Sequence, residues 1–184
     1  MNPMPPSPRG RSAPQDSEFI PIAHGFAGRV RSVTKVTGMM SIILDAVVMI
    51  GIAGSGFMLL AQFPGAAIFA VILGWLAGAF ALSSALALAT GAACVNTGSF
   101  NKTYAIRSRR MLVILAIGAA IPTAIAMLAL AASASSSSEF PPAASVCLAL
   151  LWIPFALSMI NMFVGRSVLD PSKAMRATYG SAQR

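Results

Sequence analysis

Few residues in this chain are of types that do chemistry, and they are far apart. Among 184 residues there are one histidine, His24, two cysteines, Cys94 and Cys147, and five acidic residues. A haem or a histidine-based metal site needs more ligands than one histidine supplies. Cys94 and Cys147 fall near opposite ends of apolar runs, and a disulfide needs Cα atoms roughly 4.4–6.8 Å apart, so paired-thiol redox chemistry is not expected. Serines and threonines are plentiful, but no histidine is placed to act as their base. No phosphate-cradling glycine loop or dinucleotide fingerprint occurs. The expectation is a non-enzyme with no metal and no cofactor.

One acidic residue stands apart. Asp45 lies inside an otherwise uncharged apolar run that starts at residue 39, about 9 Å along a helix. A carboxylate buried in a bilayer costs roughly 2.5–3.5 kcal/mol and needs a partner. Candidates at similar depth are Asn161, Thr90, and the flanking Arg109, Arg110 and Arg166. In the favoured reading Asp45 snorkels to an arginine and pins helix register. In the alternative it is a proton or cation site.

These residues need elements to hold them, and the composition says which. The chain is 57% hydrophobic and 10% charged, with mean hydropathy +0.77. A soluble domain is roughly 25% charged. Four apolar runs, at 39–60, 66–92, 111–132 and 143–165, each reach the roughly 20 residues that a helix needs to cross a bilayer. With no period-two alternation, the runs read as helices rather than barrel strands. The fold class expected is an all-α four-helix transmembrane bundle, up-down-up-down.

The charge pattern orients it. The formal net charge is +8, from 13 Lys and Arg. The residues before the first run carry Arg9, Arg11, Arg29, Arg31 and Lys35. The stretch between the second and third runs carries Lys102, Arg107, Arg109 and Arg110, and the C-terminal stretch carries Arg166, Lys173, Arg176 and Arg184. The two remaining loops carry none. Cytoplasmic loops collect Lys and Arg, so both termini are expected in the cytoplasm. The positive charge is an orientation signal rather than a nucleic-acid footprint. The sequon at Asn101 falls on the basic side and is expected to go unused.

The expected division is a disordered Pro/Ser-rich tail at 1–23, a basic amphipathic juxtamembrane segment at 24–38, the bundle at 39–165 and a basic tail at 166–184. In the juxtamembrane segment Phe26, Val30, Val33, Thr37 and Met40 share one helical face, with Arg29, Arg31 and Lys35 available to anionic headgroups. Asp170 followed by Pro171 reads as a helix start, with a surface helix over 171–179 that Gly180 would stop.

Inside the runs, Gly74 and Gly78 form a small-xxx-small face that Gly51 and Ser55 repeat in the first run. Such faces let helices approach closely. Pro122 and Pro154 fall near mid-membrane and are expected to kink their helices. Trp75 and Trp152 are expected to meet inside the bundle, while Phe63, Phe100, Tyr104 and Phe140 sit where interfacial anchors belong. The function expected is that of a scaffold or accessory subunit of a membrane complex. Its partners would be the lipid bilayer, other membrane subunits or further copies of itself. The alternative is a small transporter or channel component centred on Asp45.

Overall fold

A computed structural model describes residues 18–96, 98–135 and 141–179. Four long helices dominate: α1 (His24–Leu59), α2 (Pro64–Gly91), α3 (Lys102–Ser135) and α4 (Pro142–Val168). All four are long and apolar enough to cross a membrane. A short helix, α5 (Pro171–Tyr179), follows. Three small strands, β1 (Phe19–Pro21), β2 (Val95–Asn96) and β3 (Ser99–Asn101), form an antiparallel sheet in the order β1-β3-β2.

The helix ends differ with their surroundings. Pro64 and Pro142 open α2 and α4, where a missing N–H costs nothing. At the other end of the molecule the starts have side-chain caps. The Asn101 Oδ1 accepts from the Tyr104 backbone N–H at 2.7 Å, and the Asp170 Oδ1 accepts from that of Ser172 at 3.1 Å. Gly98, at φ 87°, turns the chain between β2 and β3.

The bundle is inverted relative to a soluble one. Small and polar residues point inward, and Ile43, Val47, Ile50, Phe57, Ile117 and Leu128 point out. The buried positions of α1 run Thr34, Gly38, Ser41, Asp45, Val48, Ile52, Ser55, Leu59, in alternating steps of four and three. Those of α2 run Ala67, Ala70, Gly74, Ala77, Ala81, Ser84, Leu88, Gly91, and those of α4 include Cys147, Leu151, Pro154, Ser158, Asn161 and Gly165. A repeat averaging about 3.5 residues keeps one narrow seam facing inward along the whole helix. The start of α1 meets the end of α2, where a Cβ on Gly38 would lie 2.9 Å from the Ala85 carbonyl oxygen. The end of α1 meets the start of α2, where a Cβ on Gly56 would overlap Val71.

Several expectations change here. Residues 19–21, expected within a disordered tail, form β1 and pair Phe19 with Asn101, Ile20 with Phe100 and Pro21 with Ser99. The reason is a small apolar cluster in which Ile20, Ile22, Val30, Val95, Phe100 and Leu169 are buried together. Phe100, expected as an interfacial anchor, is its centre and is fully buried. The segment 24–38 forms the first turns of α1, which at 36 residues is about 54 Å long. Its inward residues are Ala27, Val30, Thr34 and Gly38, whereas Met40 is exposed. Trp75 and Trp152 both face outward, and Trp152 instead stands 6.0 Å, centroid to centroid, from Phe155. Pro122 and Pro154 lie within α3 and α4, which run on past them. The surface helix expected over 171–179 is present as α5. The tail at 1–17, Phe140 and Gly180 lie outside the described residues.

Candidate functional site

A polar layer crosses the bundle. Ser41 on α1 donates its hydroxyl to Asn161 Oδ1 on α4 at 2.9 Å. Asn161 Nδ2 donates to Ser84 Oγ on α2 at 3.0 Å, and the Ser84 hydroxyl donates on to the Ala81 carbonyl at 2.8 Å. All three side chains are buried, and together they lock α1, α2 and α4 in one register. Each buried polar atom needs such a partner, because an orphaned one costs about 1–3 kcal/mol.

One turn along α1 lies Asp45, 1% exposed, and neither carboxylate oxygen has a hydrogen-bond partner. Ser158, one turn from Asn161 on α4, is also buried with its hydroxyl unpartnered, as is Thr123 on α3. The register fixes the level of Asp45. Ser41 meets Ser84 and Asn161, and a Cβ on Gly78 would come 2.8 Å from Met49 Sδ. Asp45 therefore stands between the polar layer and the Gly78–Met49 contact.

The arginine partner expected for Asp45 is not there. Arg109 Nη1 instead lies 3.6 Å from Asp170 Oδ1, the ion pair seen among the described residues. Arg110 and Arg166 line a surface groove with Arg109. Geometry explains the difference. Arg166 is eight residues beyond Ser158, about 12 Å along the axis, which is too far to snorkel. Asp170, at the α4–α5 corner, offers Arg109 a nearer carboxylate. Slight burial pushes the Asp170 carboxyl up, but the Ser172 hydroxyl and N–H, Arg109 and Lys173 outweigh it and hold it below the usual carboxylate range.

The other candidates divide. Asn161 is buried at the centre of the polar layer. Thr90 is exposed and bonds only to its own helix, at the Leu86 and Ala87 carbonyls. It lines a second surface groove with Arg31 and Lys35. Arg31, expected to face lipid, donates from Nη2 to the Val95 carbonyl at 2.9 Å and so ties α1 to the sheet; Arg29 and Lys35 are exposed. Gly74 and Gly78 face inward against Leu151, Ile52 and Met49, so their small face is used within one chain. Gly51 touches Leu150, and the Ser55 hydroxyl bonds the Gly51 carbonyl at 2.9 Å.

Ser41, Ser84, Ser158 and Gly38 escaped the sequence reading. The signal that finds them is the three-four step itself, since each falls on a seam that also holds an intramembrane polar residue or a glycine. Among the described residues no group of three His, Cys, Asp or Glu side chains could hold a metal ion. Both cysteines are buried and free. Comparison with known proteins finds no matching family model, no similar curated protein and no similar solved structure.

Proposed function

We propose that this chain is a non-enzymatic, multi-pass membrane protein that acts as a scaffold or accessory subunit of a membrane complex. Its four spans run up-down-up-down with both termini in the cytoplasm, in a bacterial inner membrane or a eukaryotic plasma or internal membrane. The orientation is supported by the 13 cations, which the sequence confines to three segments. The described parts of those segments meet at one end of the bundle, where β1, the β2–β3 hairpin and α5 join in one small cap.

The observation that carries the proposal is an apolar groove of about 610 Å³ between the end of α1 and the start of α4. Gly51, Gly54 and Ala143 line it, and Met58, Val146 and Leu150 form its walls. Nothing lies within 4 Å of where a Cβ on Gly54 would be. In lipid, small residues on an open face let a second helix approach closely, because close packing replaces the missing hydrophobic drive. The occupant is a helix of another membrane subunit or of a second copy, and nucleic acid is not a partner.

The test is extraction in gentle detergent with native mass measurement. A stoichiometric complex is expected from the natural chain and its loss from Gly54→Leu, which fills the groove without touching the interior. An unaltered complex from Gly54→Leu sinks this reading.

A second reading is supported by the unpartnered carboxyl of Asp45. In it the chain is a small transporter or channel component with Asp45 as the proton or cation site. A homo-oligomer without partners, and a proton or cation flux into vesicles abolished by Asp45→Asn, would favour it over the first.

A further inference from the structure

We propose that the groove between α3 and α4 at the capped end binds the phosphate of an anionic phospholipid. The groove measures about 220 Å³ and is lined by Arg109, Arg110, Arg166, Ile106 and Val113. Three guanidinium groups gather there, and among the described residues one carboxylate answers them: Asp170, 3.6 Å from Arg109. The other described acids are committed elsewhere. Glu18 accepts from Asn101 Nδ2 at 3.3 Å beside the sheet, and Asp45 is buried in the bundle. The groove therefore carries a surplus of two positive charges on Arg110 and Arg166, both exposed.

Its position selects the ligand. Arg110 directly precedes the apolar run at 111–132, and Arg166 directly follows the run at 143–165. Beyond them the outer surface continues as Met111, Ile114, Ile160 and Phe163, all exposed. The guanidinium groups thus sit at the rim of the apolar belt, where headgroup phosphates lie, with Val113 on the side where an acyl chain would run. Arginine forks match phosphate oxygens in pairs, which a lysine point charge does not. The second basic groove offers one arginine and one lysine, and Arg31 Nη2 there donates to the Val95 carbonyl.

The inference rests on the membrane-spanning reading and not on the scaffold role. A cation in direct contact with the anionic headgroup strengthens binding about fivefold, so losing two from the groove costs about 25-fold. The full chain is incorporated into nanodiscs of phosphatidylcholine containing phosphatidylglycerol, and retained lipid is counted by native mass measurement after release into detergent. The natural chain is expected to keep phosphatidylglycerol over phosphatidylcholine. Arg110→Gln with Arg166→Gln is expected to lose that preference about 25-fold, and the paired lysine variant to lose a smaller part. Arg107→Gln with Arg176→Gln removes the same charge outside the groove and is expected to keep the preference. Equal losses from both glutamine pairs, or equal retention of the two lipids by the natural chain, overturn the headgroup site. Displacement of the lipid by millimolar inorganic phosphate also overturns it, since the groove would then be a free-anion site. Failure to enter nanodiscs at all overturns the membrane reading instead.

Discussion

Two levels of the bundle, one helical turn apart, handle buried polarity in opposite ways. At the first, Ser41, Asn161 and Ser84 satisfy one another across three helices. At the second, Asp45 and Ser158 are as deeply buried yet hold no partner. The first level is architecture, because closed hydrogen-bond sets fix register without drawing on anything outside the protein. The second is a standing cost to the fold. The difference teaches that polarity inside a membrane bundle is read from who answers it, not from where it sits.

The largest expected effect tests whether the polar layer depends on the close approach beneath it. Gly38 lies one turn before Ser41, and its missing side chain lets α1 rest on the Ala85 carbonyl. Gly38→Val forces backbone from backbone and should cost about 3 kcal/mol in mixed-micelle unfolding. Gly78→Ala, which meets only the flexible Met49 side chain, should cost under about 1 kcal/mol. Equal costs would mean that the polar layer does not need the tight crossing.

Next comes the polar layer itself. Asn161→Ala removes the acceptor of Ser41 and a donor to Ser84, and should cost about 1–3 kcal/mol. Asp45→Leu should move stability the other way, raising it by about 1–2 kcal/mol, because it deletes an orphaned polar group. Opposite signs in the same unfolding assay sharpen the contrast between the two levels. A loss on Asp45→Leu would break it.

The four long apolar helices were legible in the sequence because their signal is composition and length, which a bilayer would impose on any spanning helix. The surface helix over 171–179 was legible because Asp170 and Pro171 are local start signals. The inward faces were legible in part. The small-residue spacing found Gly74 and Gly78 on α2 and Ser55 on α1, all of them buried. In water the apolar face is the buried one, and that rule selects Phe26, Val30, Val33, Thr37 and Met40 on α1, of which Val30 alone is buried. In lipid the outside is as apolar as the inside, so burial goes to residues that allow close contact, such as Gly38 and Ser41. The small sheet was hidden for another reason. Its strands are two or three residues long, and Ile20 finds Phe100 only after α1 and α2 have brought distant segments together. The expected Asp45–arginine pair failed on length along the axis, which spacing alone does not settle when the register between helices is unknown.

The smallest expected effect separates the polar layer from the cap. Ser41, Asn161 and Ser84 do not titrate, so the polar layer should be indifferent to acid. Asp170 does titrate: burial raises its carboxyl, but Ser172, Arg109 and Lys173 together outweigh that and hold it below the ordinary aspartate range. A group depressed in the folded state adds stability at neutral pH. That contribution starts to fade as pH falls through the ordinary aspartate value and is gone below the folded one. Acid should therefore loosen α5 from the end of α4 while amides around Asn161 keep their protection, as hydrogen exchange would record. Asp170→Asn keeps a good helix cap but loses the charge. It should make the protection of α5 independent of pH across that range, with the bundle unchanged. If α5 in that variant still loosened with acid, Asp170 would not be the group that sets the pH response of the cap.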